Sequence, residues 1–347
     1  MFNSIHKIDG YDELISVENI FRSWKKFRKG KSEKQDVAEF ERNLEDNLFS
    51  LAKDLKDKKY FHSEYSYFSI SDPKKRDIYK AKVRDRIVHQ VVFDYLEKIY
   101  GSIFIEDSFS SRKEKGTHKS IAKLKEFSDE IIKKNHGIYC AMKCDIKKYF
   151  ESINHRILKN ILAKEVSDKR IFRLVEIIID SFKPLDPKGI PLGNITSQIF
   201  ANIYLNELDE FVKRELKLKY YLRYNDDFVI LGNEKRIIME NAEKIKFFVE
   251  NNLLLEMPES KMIFRKLKWG VDFCGSVIFP KAILLREKTE KIMMKNIEIK
   301  FQKYENEEIP INDFSRTMSS YFGLLKHCKS YNLKEKIRNE YIYAGTI

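Results

Sequence analysis

Two adjacent carboxylates, Asp226 and Asp227, lie between two apolar runs, Lys219-Tyr220-Tyr221-Leu222-Arg223 before and Phe228-Val229-Ile230-Leu231-Gly232 after. Such runs on either side of a short polar pair predict a strand-turn-strand hairpin. Carboxylates at its tip are placed to hold a divalent metal ion, because Mg2+ prefers hard oxygen ligands. A third carboxylate, Asp145, ends the run Gly137-Ile138-Tyr139-Cys140-Ala141-Met142-Lys143-Cys144, which reads as a buried strand. It lies 81 residues before Asp226, so only the fold can bring the three together.

With 347 residues the chain can build two or three packed subdomains. Its 66 Lys and Arg against 53 Asp and Glu give a formal charge of +13, and 18 Tyr with 25 Phe supply rings for stacking and for core. Nucleic acid is the natural polyanionic partner of such a surface. None of the four cysteines forms a Cys-x2-Cys pair, so neither zinc nor a disulfide framework is expected. No apolar run approaches the roughly 20 residues of a membrane span, and Met1 to Lys7 lack an apolar leader core. A soluble cytoplasmic chain without membrane contact is expected.

Helical spacing runs from Ser16 to Lys58 and predicts two helices joined at Lys29-Gly30-Lys31-Ser32. Tyr65 to Ser71 and Asp77 to Tyr79 predict a hairpin with a cationic tip. Helices are expected over 84–100, from the end of the loop 108–118 to Lys134, from about Asn154, and over Gln198 to Leu216 with Thr196 or Ser197 as N-cap. A further helix is expected near 234–252. Strands are expected at Met262-Ile263-Phe264 and along Val271 to Phe279, and Lys-rich helices fill the last sixty residues with a break at Glu307-Glu308-Ile309-Pro310.

Asp145-Ile146-Lys147-Lys148-Tyr149-Phe150 followed by Tyr224-Asn225-Asp226-Asp227 resembles the two metal-binding blocks of reverse transcriptases. Between them, Gly189 to Leu205 resembles the block that shapes the nucleotide pocket. The likeness covers nearly the whole chain and is nearest to bacterial, group II intron-like enzymes, especially those of diversity-generating retroelements. It implies an α+β right-hand polymerase fold: N-terminal helices and fingers over 1–137, a palm over 138–285 that includes the pocket block 182–200, and a helical thumb over 286–347.

The resemblance also implies the site. Two Mg2+ ions, for which Mn2+ can substitute, stand about 3.5–4 Å apart in nucleotidyl transfer; Asp145 and Asp226 fit as bridging ligands and Asp227 as the supporting carboxylate. Lys261 falls where the family keeps a lysine that protonates the leaving pyrophosphate. Lys74, Lys75 and Arg76 resemble the fingers cations that grip the triphosphate. Phe150 matches the aromatic that excludes a 2′-hydroxyl, while Tyr149 is expected in the core. Arg112 resembles the template-backbone loop. With Tyr224, Phe273 and Gly275 of the primer-gripping hairpin complete the nucleic-acid side. Most group II enzymes carry Gln-Gly and Ser-Pro in the pocket block; this chain has Leu192-Gly193 and Ser197-Gln198. Leu192 offers only apolar contact to an incoming nucleotide, which loosens selection, with Gln198 nearby.

The implied function is an RNA-directed DNA polymerase that adds dNTPs to a primer 3′-hydroxyl on a template RNA, forming an RNA/cDNA hybrid. The diversity-generating branch implies low-fidelity copying, chiefly opposite template adenines, with a small basic accessory protein as partner. A phage-defence enzyme copying its own non-coding RNA shares the same palm. A catalytically silent RNA-binding scaffold would not need the carboxylate trio, and an RNA-dependent RNA polymerase would more often carry Gly before the paired Asp. The expected source is bacterial, archaeal or phage. The sequence stops at Ile347, which implies no maturase extension or endonuclease.

Overall fold

The computed structural model describes residues 10–71, 75–134, 139–182 and 187–343. In chain order come α1 (Tyr11–Leu14), α2 (Val17–Arg28), α3 (Gln35–Glu41), α4 (Leu44–Lys56), β1 (Ser66–Ile70), β2 (Arg76–Lys80), α5 (Val83–Ile103) and α6 (Thr117–Lys134). Then follow β3 (Cys140–Asp145), α7 (Tyr149–Ser152), α8 (His155–Glu165), α9 (Lys169–Asp180), α10 (Ile195–Glu210), β4 (Tyr221–Tyr224), β5 (Asp227–Gly232) and α11 (Lys235–Asn251). The remainder is β6 (Met262–Lys266), β7 (Val271–Phe273), β8 (Ser276–Ile278), β9 (Ile283–Leu285), α12 (Glu287–Glu305), α13 (Ile311–Leu325) and α14 (Tyr331–Arg338). Among the described residues no helix is long and apolar enough to cross a membrane. The elements form two compact units, one of Met1–Glu106, Ile146–Glu215 and Ile245–Met257, the other of Asp107–Asp145, Leu216–Lys244 and Pro258–Ile347.

In the first unit, α2 is started by Ser16, whose hydroxyl accepts the Asn19 N–H, and buries Ile20, Trp24 and Phe27 at helical spacing. The stretch expected to hold one further helix holds two, α3 and α4, because Asn43, at φ -127° and ψ 48°, leaves the helical path and the Asn47 amide donates to the Phe40 carbonyl at 3.0 Å. Long α5 packs against α2 and α10. Helix α10 is buried on nearly every side, through Ile199, Phe200, Ile203, Tyr204, Leu205 and Leu208; each such side chain contributes roughly 1.5–3 kcal/mol. It begins at Ile195, three residues before the expected start, and Asn194 precedes it without a side-chain cap. The expected caps serve elsewhere: Ser197 Oγ donates to the Pro191 carbonyl at 2.6 Å, and Thr196 Oγ1 meets His89 Nδ1 at 2.6 Å.

His89 is buried, and its Nε2 lies 2.9 Å from His62 Nε2, so one ring must donate and the other accept. Burial, then the neighbouring charges of His62 and Arg86, hold His89 well below the usual histidine range, and burial also lowers His62. Both groups bind a proton more readily in the unfolded chain, where histidine titrates near about 6.5. Their contribution to stability is therefore full above that pH and is lost as pH falls through it. Thermal melting followed from neutral to mildly acid pH should show the midpoint falling below about pH 6.5, and His89→Gln should flatten that limb. An unchanged acid limb in the variant would remove His89 as its cause.

In the second unit an antiparallel sheet runs in the order β4-β5-β3-β6. Asp145 pairs with Asp227, Lys143 with Val229, and Ala141 with Leu231, while Tyr224 pairs with Asp227 across the hairpin. Strands alternate their faces, so Leu222, Val229, Leu231 and Ala141 share one side. That side is packed with Phe109, Ile121, Leu124, Phe127 and Phe273. The run expected as one strand over 271–279 folds back at Cys274 and Gly275, with φ +48° and +82°, into the β7–β8 hairpin. Helices α12, α13 and α14 close a separate core of Met293, Ile297, Phe314, Met318, Leu325 and Ile337.

Candidate active site

The packed face of the sheet becomes polar at one end. After Leu222, Val229 and Ala141, the same face carries Tyr224, Asp227, Lys143 and Asp145, all half-buried. Asp226 is the second residue of the two-residue turn, and Asn225, the first, takes φ +57°, which asparagine tolerates. The Asn225 amide donates to Asp226 Oδ1 at 2.9 Å. Burial pushes Asp226 up to about 6; its own backbone N–H and the Asn225 amide oppose the shift, and the charges of Asp227 and Asp145 add to it. Asp227 is also raised, by burial first, with Lys143 working against it and Asp145 with it.

Two ammonium groups face these carboxylates. Lys261, on a short helical turn before β6, donates to Asp145 Oδ1 at 2.5 Å, and that bond raises its pKa. Lys143 Nζ stands 3.4 Å from Asp227 Oδ1, an oxygen that is buried without a well-aligned hydrogen bond among the described residues. Charge rather than hydrogen-bond geometry holds that pair, and the oxygen keeps lone pairs to offer. The donor set of hard oxygens thus fits a divalent cation. In this conformation, however, no three His, Cys, Asp or Glu side chains among the described residues converge closely enough to enclose one.

The turn is held from beneath by Arg223, the largest fully buried side chain among the described residues. Its Nη1 donates to the Asn225 carbonyl at 3.0 Å and its Nη2 to Ser108 Oγ at 3.1 Å. The Arg223 backbone also bonds to Asp107 and Phe109, tying the 107–116 loop to β4. Arg112, in that loop, donates to the Ser108 carbonyl at 2.9 Å. Thr117 Oγ1 donates to the Tyr224 hydroxyl at 3.0 Å. Phe273 is fully buried, while Cys274 and Gly275, at the turn of its hairpin, are half-buried. Neither Arg223 nor Lys143 was singled out by sequence reasoning. The available signal was a full charge inside each of two apolar strands, which buried strands carry only when it is paired.

The first unit assembles the remaining candidates. Tyr79 N–H donates to the Leu192 carbonyl at 2.9 Å, and the Asn194 side chain bonds both the Tyr79 carbonyl and the Ala81 N–H. This clamps the pocket block to β2, whose first residue is Arg76; Lys75 and Arg76 are exposed, and Lys74 lies outside the described residues. Ile190 N–H donates to the Phe150 carbonyl at 2.8 Å, so Phe150 on α7 joins the same group, while Tyr149 is buried with its hydroxyl on the Ala201 carbonyl. Leu192 is half-buried and Gln198 exposed. Gly193 has φ +110°, and a Cβ there would lie 2.8 Å from Ile78 Cγ2. Gly193→Ala should cost about 1–3 kcal/mol of local strain and raise the KM for nucleotide more than it lowers the melting temperature. An unchanged KM would show that the close approach does not matter to the site.

Residues 71–278 match the family described as reverse transcriptase (RNA-dependent DNA polymerase). The chain belongs to this family, and with it to the α+β right-hand polymerase fold. It is 25% identical over 255 residues to Protein YkfC of Escherichia coli K12, covering 62% of this chain and 66% of that protein. It is 26% identical over 233 residues to the group II intron-encoded protein LtrA of Lactococcus lactis, covering 62% of this chain and 37% of that protein. The group II-like type expected from the sequence agrees with these relatives, although the chain spans less than two thirds of either. The structure of telomerase from Candida albicans with a fragment of telomeric RNA aligns at a TM-score of 0.49 and 12% identity, over 71% of this chain and 51% of that one, a likeness too loose to build on.

Proposed function

We propose that this chain copies RNA into DNA, extending a primer 3′-hydroxyl with deoxynucleoside triphosphates. The observation that carries the reading is Asp145 paired directly across from Asp227, one residue from Asp226 at the turn, in a member of the reverse transcriptase family. Asp145, Asp226 and Asp227 would hold Mg2+, which when bound supplies Lewis-acid polarisation and charge neutralisation at the phosphate. Lys261, kept protonated by Asp145, carries a proton at Nζ for the leaving pyrophosphate. Lys143 steadies Asp227. Lys75 and Arg76 supply cations for the triphosphate, and Arg112, Tyr224 and the tip of the β7–β8 hairpin face the template and primer.

Primer extension with Mg2+ on a poly-rA template tests this. Product is expected with dTTP and not with UTP, and Phe150→Ala should admit UTP, raising its use relative to dTTP by tenfold or more, about 1.4 kcal/mol of discrimination. A wild type that extends only with UTP would instead be an RNA polymerase. No product from either nucleotide, even with a cognate RNA supplied, would favour a silent scaffold. If the variant rejected UTP as the parent does, Phe150 would not be the sugar gate.

The finer role we propose is the diversity-generating one, supported by Leu192 and Gln198 where most group II enzymes have Gln and Pro. Near-identical repeats in the neighbouring DNA, differing mainly at adenines, would support it. A flanking non-coding RNA, with phage protection lost on Asp226→Ala, would replace it by the defence role.

A further inference from the structure

A cleft of about 1030 Å³ opens wholly within the first unit, apart in sequence from the carboxylate trio. One wall is the segment after α4, with Lys58, Tyr60 and Phe61; the other is a face of α9 with Lys169, Arg173, Leu174 and Ile177. Along α9 that face is basic at its start and apolar in its middle, where Leu174 is buried and Ile177 half-buried. Phe61 is 71% exposed, an unusual cost for a ring that α4 and α9 could have covered.

The charges around the cleft do not cancel one another. Asp180 is bound by Lys159 at 2.8 Å, and Arg170 by Asp12 at 2.8 Å and by Asp168. Among the described residues Arg173 pairs only with Glu176, at 3.4 Å and with its own side chain 70% exposed, a kind of pair that holds little. Lys58 and Lys169 have no ion pair among the described residues, and Glu64 is the one other acid of the lining. Lys58 moreover occupies a left-handed position, φ +58°, at the end of α4, where glycine would sit without strain. Cations on the rim, an exposed ring and an apolar floor are the parts of a stacking platform for unpaired nucleotides, and the volume stands at the upper end of the range for small-molecule pockets.

We propose that this cleft binds an unpaired stretch of polynucleotide, its phosphates on Lys58, Lys169 and Arg173 and a base on the Phe61 ring. The inference does not require that the protein polymerise. Single-stranded RNA carrying 4-thiouridine, crosslinked to the full chain and mapped by peptide mass spectrometry, should label the segment 55–64 or 169–181. Phe61→Ala, and separately Lys169→Glu with Arg173→Gln, should abolish that crosslink and weaken binding of the same RNA by roughly ten- to a hundredfold. Melting temperature and extension of a short-overhang primer should stay unchanged in both variants. Competition by DNA of the same sequence distinguishes a site that takes either strand from one that requires the 2′-hydroxyl; either result supports the site. Crosslinks confined to other segments, or variants that bind within about twofold of wild type, overturn it. Loss of primer extension in the wild type would bear on the polymerase reading alone.

Discussion

Asp226→Asn is expected to lower primer extension by roughly a thousandfold or more, since a metal ligand supplies several kcal/mol at the transition state. The same substitution should stabilise the fold. Asp226 is a half-buried carboxylate beside Asp227 and Asp145, and its pKa of about 6 records the cost of keeping it charged. Asparagine keeps the shape and removes that cost, so a higher melting temperature should accompany the lost activity, the trade-off usual at strained catalytic sites. Rates of single-nucleotide addition and thermal melting at neutral pH check both halves. Extension within about tenfold of wild type would exclude Asp226 from the catalytic set, and a lowered melting temperature would show that its charge is compensated in the fold.

Arg223→Ala should be the most destabilising single truncation in the second unit. It would leave the Asn225 carbonyl and the Ser108 hydroxyl without their buried donor and open a void beneath the turn. The expected loss is about 3–5 kcal/mol, from about 1–3 kcal/mol for each buried acceptor left unpaired together with the void. Arg223→Lys should recover only part of it, because an ammonium cannot span two acceptors in the fixed fork of a guanidinium. Denaturant midpoints measure the loss, and amide exchange in β4 and β5 locates it. A midpoint unchanged by alanine would mean that the turn holds its shape without Arg223.

The carboxylates were legible because they punctuate apolar runs, and the chain then folded as those runs required. The helices α2 and α5 followed from periodicity. Less legible was the break at Asn43, which has neither glycine nor proline beside it and depends on the Asn47 amide reaching back to Phe40. The start of α10 was misplaced because Thr196 and Ser197 look like caps, whereas tertiary partners, His89 and Pro191, claim their hydroxyls. Lys143 and Arg223 were passed over for a related reason. Each is a charged residue in a strand whose neighbours are buried, and what each charge faces is decided by a partner far away in sequence or across a turn.

The pairing of β3 has one more consequence. This strand is bonded on both edges, with Asp145 opposite Asp227 on one side and Cys144 opposite Met262 on the other. Because side chains alternate, a slip of one residue would turn Asp145 and Lys143 to the opposite face and bring Cys144 and Met142 into their place. The strand therefore behaves like a reading frame. Its letters can change one at a time with graded effect, but adding or removing a single one rewrites every position toward the site at once.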